Sequence, residues 1–505
     1  MRRFVANRYL LALLVVMALG AEFGLASVSH SAAVTAGPRV PAPGRATVSA
    51  VVRACPAPGS AGATASGIAL AAVSSGTGRA EVTRLNPAGA TAPSAPLDVL
   101  TQPGRLTLLN VPEAPALARG AAQQSTAATA AGVPTGPARG GVMIQASGSM
   151  AQGLEAEQTG AGGVAAAQCQ GPGTDFWFVG PGQKSVADIQ LYLMNTAAQA
   201  AVATVSVLTD SGPIIGSTDA GIDVPPHGLV VQSLAKLLKG SSVVALNVTT
   251  SVGQVVPALQ ETSSGSQPGS WLPAAQPPAT SQVLPGLPGT PGGRELYIAV
   301  PGEGNAQVKV TAVTERGSYQ PTGGSGIDLP GGSAIAVALP SLGGIPGAVQ
   351  ISSSVPVTAS MSAPGGAAGG PGAFTAAVGP VQEQGVIAGN PAGSGTSSEL
   401  VLSAPRAAAQ VQVSELTATG QSGISFGTVQ LGAGHSAVVA LPTPKQAGRP
   451  APFAVVITPT AGSGPVYAGR VVSANGSVRS ILPVVSALNW VPLPAVRNSV
   501  TTALP

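Results

Sequence analysis

Hydrophobic and polar residues alternate along short runs of this chain, beginning with Ala203-Thr204-Val205-Ser206-Val207. A period of two sends one set of side chains to each face, so such a run predicts a half-buried β-strand. The pattern returns about a hundred residues later as Val308-Lys309-Val310-Thr311-Ala312, and again as Gln410-Val411-Gln412-Val413. Each run keeps the same neighbours. A short apolar strand precedes it, at Leu191-Tyr192-Leu193, Leu296-Tyr297-Ile298 and Leu400-Val401-Leu402. A glycine turn follows it, at Asp210-Ser211-Gly212, Arg316-Gly317 and Thr419-Gly420. The strongest match comes next. Asp223 to Leu234 aligns without a gap on Asp328 to Leu339, 105 residues on, and a third copy runs from Gln430 to Leu441, a further 102.

Apolar runs at Val244 to Thr249, Ala348 to Ser352 and Ala454 to Thr458 continue the series. Trp271 to Ala275, Phe374 to Val378 and Ile481 to Val485 close the units. Six or seven short strands per unit, with turn signals between them, predict an all-β chain of tandem immunoglobulin-like antiparallel sandwiches. The alternative is a β-propeller with two blades per repeat. Blades run about 40–50 residues with signatures of their own, and no similarity at half the period is present.

A fourth, degenerate unit precedes these three, with strand patterns at Ile68 to Val73, Ala80 to Leu85, Leu106 to Val111 and Val142 to Ala146. The predicted organisation is an N-terminal signal or anchor over 1–34 and a linker over 35–45. The degenerate sandwich spans 46–162, with an aperiodic insertion at 112–140. Further sandwiches span 163–275, 276–378 and 379–505, the last with a C-terminal tail. Pro41 to Gly44 and Pro364 to Gly372 are too rich in Pro and Gly to pack, and Leu234 to Gly240 suits one helical turn. Each sandwich is expected to be stable by itself, so Gly163 to Val378 should fold alone.

Composition changes this picture little. Only 8% of the 505 residues are charged and 3% aromatic, while 44% are hydrophobic, mostly small. Such a chain can bury cores of Ala and Val. A net charge of +4, with no basic cluster after the first eight residues, leaves no footprint for nucleic acid. The N-terminus does carry a signal. Arg2, Arg3 and Arg8 precede the apolar run Tyr9 to Ala21, as in a secretory leader with Ser31-Ala32-Ala33 as a candidate cleavage signal. The alternative is an uncleaved anchor from Tyr9 to Val28, which would place Glu22 in the membrane. Either puts the remainder outside the cytoplasm, secreted or membrane-tethered. Two cysteines, Cys55 and Cys169, then predict one disulfide. They are too few, with no nearby His, for a structural zinc.

The block Cys169 to Gly182, with Leu191-Tyr192-Leu193-Met194-Asn195, Cys55-Pro56 and the Val224-Pro225-Pro226-His227-Gly228 turn, resembles a family of uncharacterised exported actinobacterial proteins. The repeat also resembles immunoglobulin-like modules of bacterial surface proteins. The resemblance implies fold and location, and no chemistry.

Candidate chemistry is sparse. Gly180-Pro181-Gly182-Gln183-Lys184-Ser185 lacks the glycine before lysine and the helix that a phosphate loop needs. No GxSxG elbow occurs, and His30, His227 and His435 are the only histidines, the last two on turns. Glu155 and Glu157 share a strand face, as paired glycosidase carboxylates would, but no aromatic sugar platform lies near them in sequence. The plain expectation is a charged sheet edge. Phe176-Trp177-Phe178 is a candidate ligand platform if exposed, and otherwise core. The chain therefore reads as a non-enzymatic extracytoplasmic scaffold or binding protein of the cell envelope, with no cofactor and no metal. Its expected partners are the membrane, through an uncleaved N-terminus, and an envelope protein or glycan. The competing reading is a secreted hydrolase with an unfamiliar site, revealed by acidic and aromatic side chains gathered in one deep pocket.

Overall fold

The computed structural model describes residues 13–21, 44–56, 66–87, 96–111, 140–159, 166–214, 221–262, 269–339, 342–365 and 370–493. Most of the expected leader, including His30, and nearly all of the 112–140 insertion lie outside them. The chain forms two units. The smaller, Met1–Ala46 with Val491–Pro505, contains a helix over 13–21 whose Leu13, Val16 and Met17 are exposed. Among the described residues no helix is long and apolar enough to cross a membrane. Arg45–Thr47 pairs with Trp490–Pro492 in a two-stranded sheet, and the Leu493 N–H donates to the Gly44 carbonyl at 2.8 Å.

The larger unit, Thr47–Trp490, is all antiparallel sandwich apart from one short parallel pair. The second repeat shows its construction. The longer strands Asp175–Pro181, Asp188–Met194, Ala201–Thr209, Gly228–Ser233, Val243–Val252 and Val256–Thr262 go alternately to one sheet and then the other, the two short strands Gly212–Pro213 and Ile222–Val224 pairing with Ala201–Thr209. Propeller blades are built instead from consecutive strands, so this interleaving is that of a sandwich. Between the sheets lie Leu191, Leu193, Val205, Val207, Leu246 and Val248, and Ala201–Thr209 alternates in burial as its sequence alternates in polarity. The third and fourth repeats have their own cores, around Leu296, Val310 and Ile351 and around Leu402, Val413 and Ile457. The degenerate unit is also a sandwich, and it extends beyond residue 162, because Ala166–Gln168 pairs with Glu155–Thr159.

The repeated turns have a common physical cause. Thr209, Thr314 and Thr417 each donate a side-chain hydrogen bond at 2.9 Å to the carbonyl of the glycine three residues on, Gly212, Gly317 or Gly420. Those glycines share φ values of +103°, +109° and +113°, which only glycine adopts cheaply. One expectation changes and one holds. Of the stretch Pro364 to Gly372, the described ends are paired strand rather than linker, Ala363 with Ala373 and Gly365 with Gly370, and residues 366–369 lie outside the described residues. Leu234 to Gly240 does close one turn, through Leu238 N–H to the Leu234 carbonyl at 2.9 Å.

The sandwiches do not stand apart. Ala54, Leu85 and Met143 on the outside of the first meet Tyr192, Met194 and Val256 on the outside of the second, and Asn86–Pro87 adds a parallel edge to Gly228–Ser233. Tyr297, Ala299 and Ala334 of the third join the second sandwich's cluster, and the Ser360 hydroxyl donates to the Val179 carbonyl. Third and fourth meet through Ala363, Ala373, Val401 and Val471, where Gly286 and Gly469 approach too closely for either to carry a Cβ. The fourth then returns to the first, Val386, Ala388 and Val456 packing on Ala69, Ala71 and Leu106. The set closes on itself. Part of the outer face of each sandwich is therefore apolar and covered by its neighbour.

Candidate functional site

Where the four sandwiches converge they line a half-open cavity of about 440 Å³. The first contributes Arg53, Glu155 and Gln168, the second Asp175, Phe176 and Trp271, the third Gln276 and Val378, and the fourth Pro483 and Ser486. Residues from all four units thus form its wall. Trp271 is held by Ser270–Leu272 at the sheet edge, half-buried, with its ring tilted 55° against Tyr192 at 5.2 Å. Phe176 is half-buried beside it in the cavity wall, whereas Trp177 and Phe178 point into packed interior at 9% and 0% exposure. The aromatic triplet is thus mainly core, and only its first member reaches the site.

Glu155 is almost fully buried, and its Oε1 accepts from Arg53 Nη2 at 2.8 Å. Burial pushes its carboxyl above the ordinary range, while the Arg53 charge and hydrogen bond pull it back. Glu157, two residues on, shares the face but not the cavity. It forms a fully buried ion pair with Arg470 of the fourth sandwich, and its Oε2 accepts the Gly389 N–H at 2.9 Å. Arg470 also donates to the Gly389 carbonyl. Burial raises the Glu157 carboxyl as well, against the pull of Arg470. The expectation of a charged sheet edge is corrected: Glu155–Thr159 is an interior strand, flanked by Ala166–Gln168 and Ser66–Ala72. The supposed lack of an aromatic platform is also corrected, since Phe176 and Trp271 line the same cavity as Glu155.

The other candidates fall elsewhere. Cys55 and Cys169 form a disulfide with Cα atoms 4.3 Å apart, in the core of the first sandwich. It ties the two sheets of that sandwich rather than the first unit to the second. Gly180 to Ser185 is a strand end and turn, with Lys184 Nζ donating to the Ser242 hydroxyl at 3.3 Å and no helix to cradle a phosphate. His227 is half-buried on its turn in a left-handed conformation, and His435 is exposed in another sandwich. Among the described residues no three His, Cys, Asp or Glu side chains gather as metal ligands would. Arg53, Trp271 and Arg470 are the residues that sequence reasoning missed. The available signal was two glutamates flanking Ala156 within a strand pattern, in a chain poor in charge.

Comparison with known families matches residues 120–442 of this chain to one description. The chain belongs to DUF5719, a family of unknown function. The matched segment takes in the complete second and third sandwiches, with parts of the first and fourth. Within DUF5719, this chain therefore carries Glu155, Asp175 and Trp271 inside the matched segment and Arg53 and Arg470 outside it. Comparison with curated proteins finds no match.

Proposed function

We infer that this DUF5719 protein is a non-enzymatic binding or scaffold protein of the actinobacterial cell envelope, working outside the cytoplasm. The observation that carries the location is the Cys55–Cys169 disulfide, buried in the first sandwich. Such bonds persist in oxidising compartments and rarely in a reducing cytosol. The apolar segment from Tyr9 to Ala21 behind three arginines supports the same reading as leader or tether. Four interlocked sandwiches suit a body that presents surfaces, and specificity then lies in their loops and in the cavity. The test is fractionation of cells expressing the full chain, with protease added to intact cells and thiols counted without reductant. Protease-sensitive protein with no alkylatable thiol supports the reading; protected protein with two free thiols overturns it.

One observation favours the competing reading, a secreted hydrolase acting on glycans. Glu155, its carboxyl raised by burial, shares a cavity with Asp175 and Trp271. A raised carboxyl near a second carboxylate is how glycosidases supply acid and base. Turnover of a glycoside that is lost in Glu155→Gln would decide for the hydrolase.

A further inference from the structure

We propose that the cavity at the junction of the four sandwiches is a binding site for a short, neutral oligosaccharide. The proposal deepens the binding reading above by naming the ligand class of that site.

Three features carry it. The first is shape: about 440 Å³, bounded by all four units, within the range of about 300–1,000 Å³ typical of small-ligand sites. The second is the distribution of aromatics. In a chain with only three Trp and seven Phe, one of each lines this cavity and is half-exposed there. An aromatic face is the surface on which the apolar C–H face of a sugar ring packs, and Trp271 is braced for it by Tyr192 behind. Tyr192 is itself fixed, its hydroxyl donating to Gln260 Oε1 at 3.0 Å.

The third is the polar inventory. Sugar hydroxyls both donate and accept, so they call for acceptors, donors and groups that do both, close together. Asp175 offers acceptors, Arg53 donors, and Gln168, Gln170 and Gln276 both, all along the same wall. Charge selects a neutral ligand. Glu155 is already matched by Arg53, which leaves exposed Asp175 to repel an anion without a second carboxylate to hold a cation strongly. A proline-rich peptide would also stack on Trp271, but its prolines carry no N–H and would leave the acceptors of Asp175 and the glutamines unmatched.

The experiment uses the full disulfide-bonded chain, titrated with defined neutral hexose and pentose oligosaccharides of two to six rings. Binding is read by tryptophan fluorescence and by the rise in melting temperature. At least one series should bind saturably. Trp271→Ala should weaken that binding at least about tenfold, the usual scale for removing an aromatic anchor. Because Trp271 also packs on Tyr192, Gln276→Ala serves as a second variant. It should weaken binding several-fold while leaving the melting temperature of the free protein unchanged. No response to any oligosaccharide at millimolar concentration overturns the proposal, as does binding indifferent to both variants. Trp271-dependent binding of a proline-rich peptide in place of sugar overturns it too. A protein found at the envelope that binds no sugar would sink this site and spare the location. A sugar bound and then cleaved would support the site and reject the non-enzymatic reading.

Discussion

His227 holds a left-handed backbone, φ +46°, at a turn position filled by Gly332 (φ +70°) and Gly434 (φ +76°) in the next two repeats. The alignment of the repeats thus extends to a backbone requirement, and histidine is the exception. An L-residue there costs about 1–2 kcal/mol, so Gly332→Ala and Gly434→Ala should each lower stability by about that amount. His227→Gly should leave it level or raise it slightly. Denaturant titration of the three variants checks the series. Glu261 offers a residue-scale test of another kind. Buried at 3% exposure beside Ser270, its carboxyl is pushed from 4.5 up to about 7, chiefly by desolvation. A carboxyl raised in the folded state is easier to ionise once unfolded. Stability should therefore fall as pH rises from about 4.5 to 7, by roughly 1.4 kcal/mol per unit, and then level off. Glu261→Gln should remove that slope, as measured by melting temperature between pH 5 and 8.

Among the elements, Glu155–Thr159 departs furthest from its sequence expectation. Alternation told correctly that Glu155 and Glu157 share a face. It was silent on what the face meets, because the partners, Arg53 and Arg470, lie on strands 102 and 313 residues away. The same limit hid the outer sheet faces. Ala and Val fill both sides of the strands, so periodicity located the strands and their sandwich cores but gave no sign of which outer face would be covered by which neighbour. Removing one partner of a fully buried ion pair strands the other charge. Glu157→Leu should cost about 3–5 kcal/mol, whereas Glu157→Leu with Arg470→Leu should recover most of it. A double-mutant cycle by chemical denaturation separates the two outcomes.

For the whole molecule, the repeat predicted an all-β fold and most of its strands, including those at Ile68 to Val73 and Ala80 to Leu85. Closure of the set was not legible, and with it the cavity, since Phe176 and Trp271 are brought together by folding rather than by sequence. The packing reverses one expectation. A piece from Gly163 to Val378 would uncover the outer faces that meet the first and fourth sandwiches, among them Tyr192, Met194 and Ala363. It should remain β-rich by circular dichroism yet self-associate on a sizing column. Thr47–Trp490 should run as a monomer under the same conditions. A monomeric, cooperatively melting 163–378 piece would restore the independent sandwich.

The contact between fourth and first sandwiches also orders events in time. A chain is made from its N-terminus, and domains fold as they emerge. Ala69, Ala71 and Leu106 must therefore wait, uncovered, until Val386, Ala388 and Val456 have been synthesised at least 280 residues later. Through that interval the first sandwich can hold its shape by its own core, but it carries an adhesive side. A ribosome that stops early releases a product marked by that side, ready for a chaperone or a protease to recognise. Only a chain made through to its fourth sandwich hides the mark.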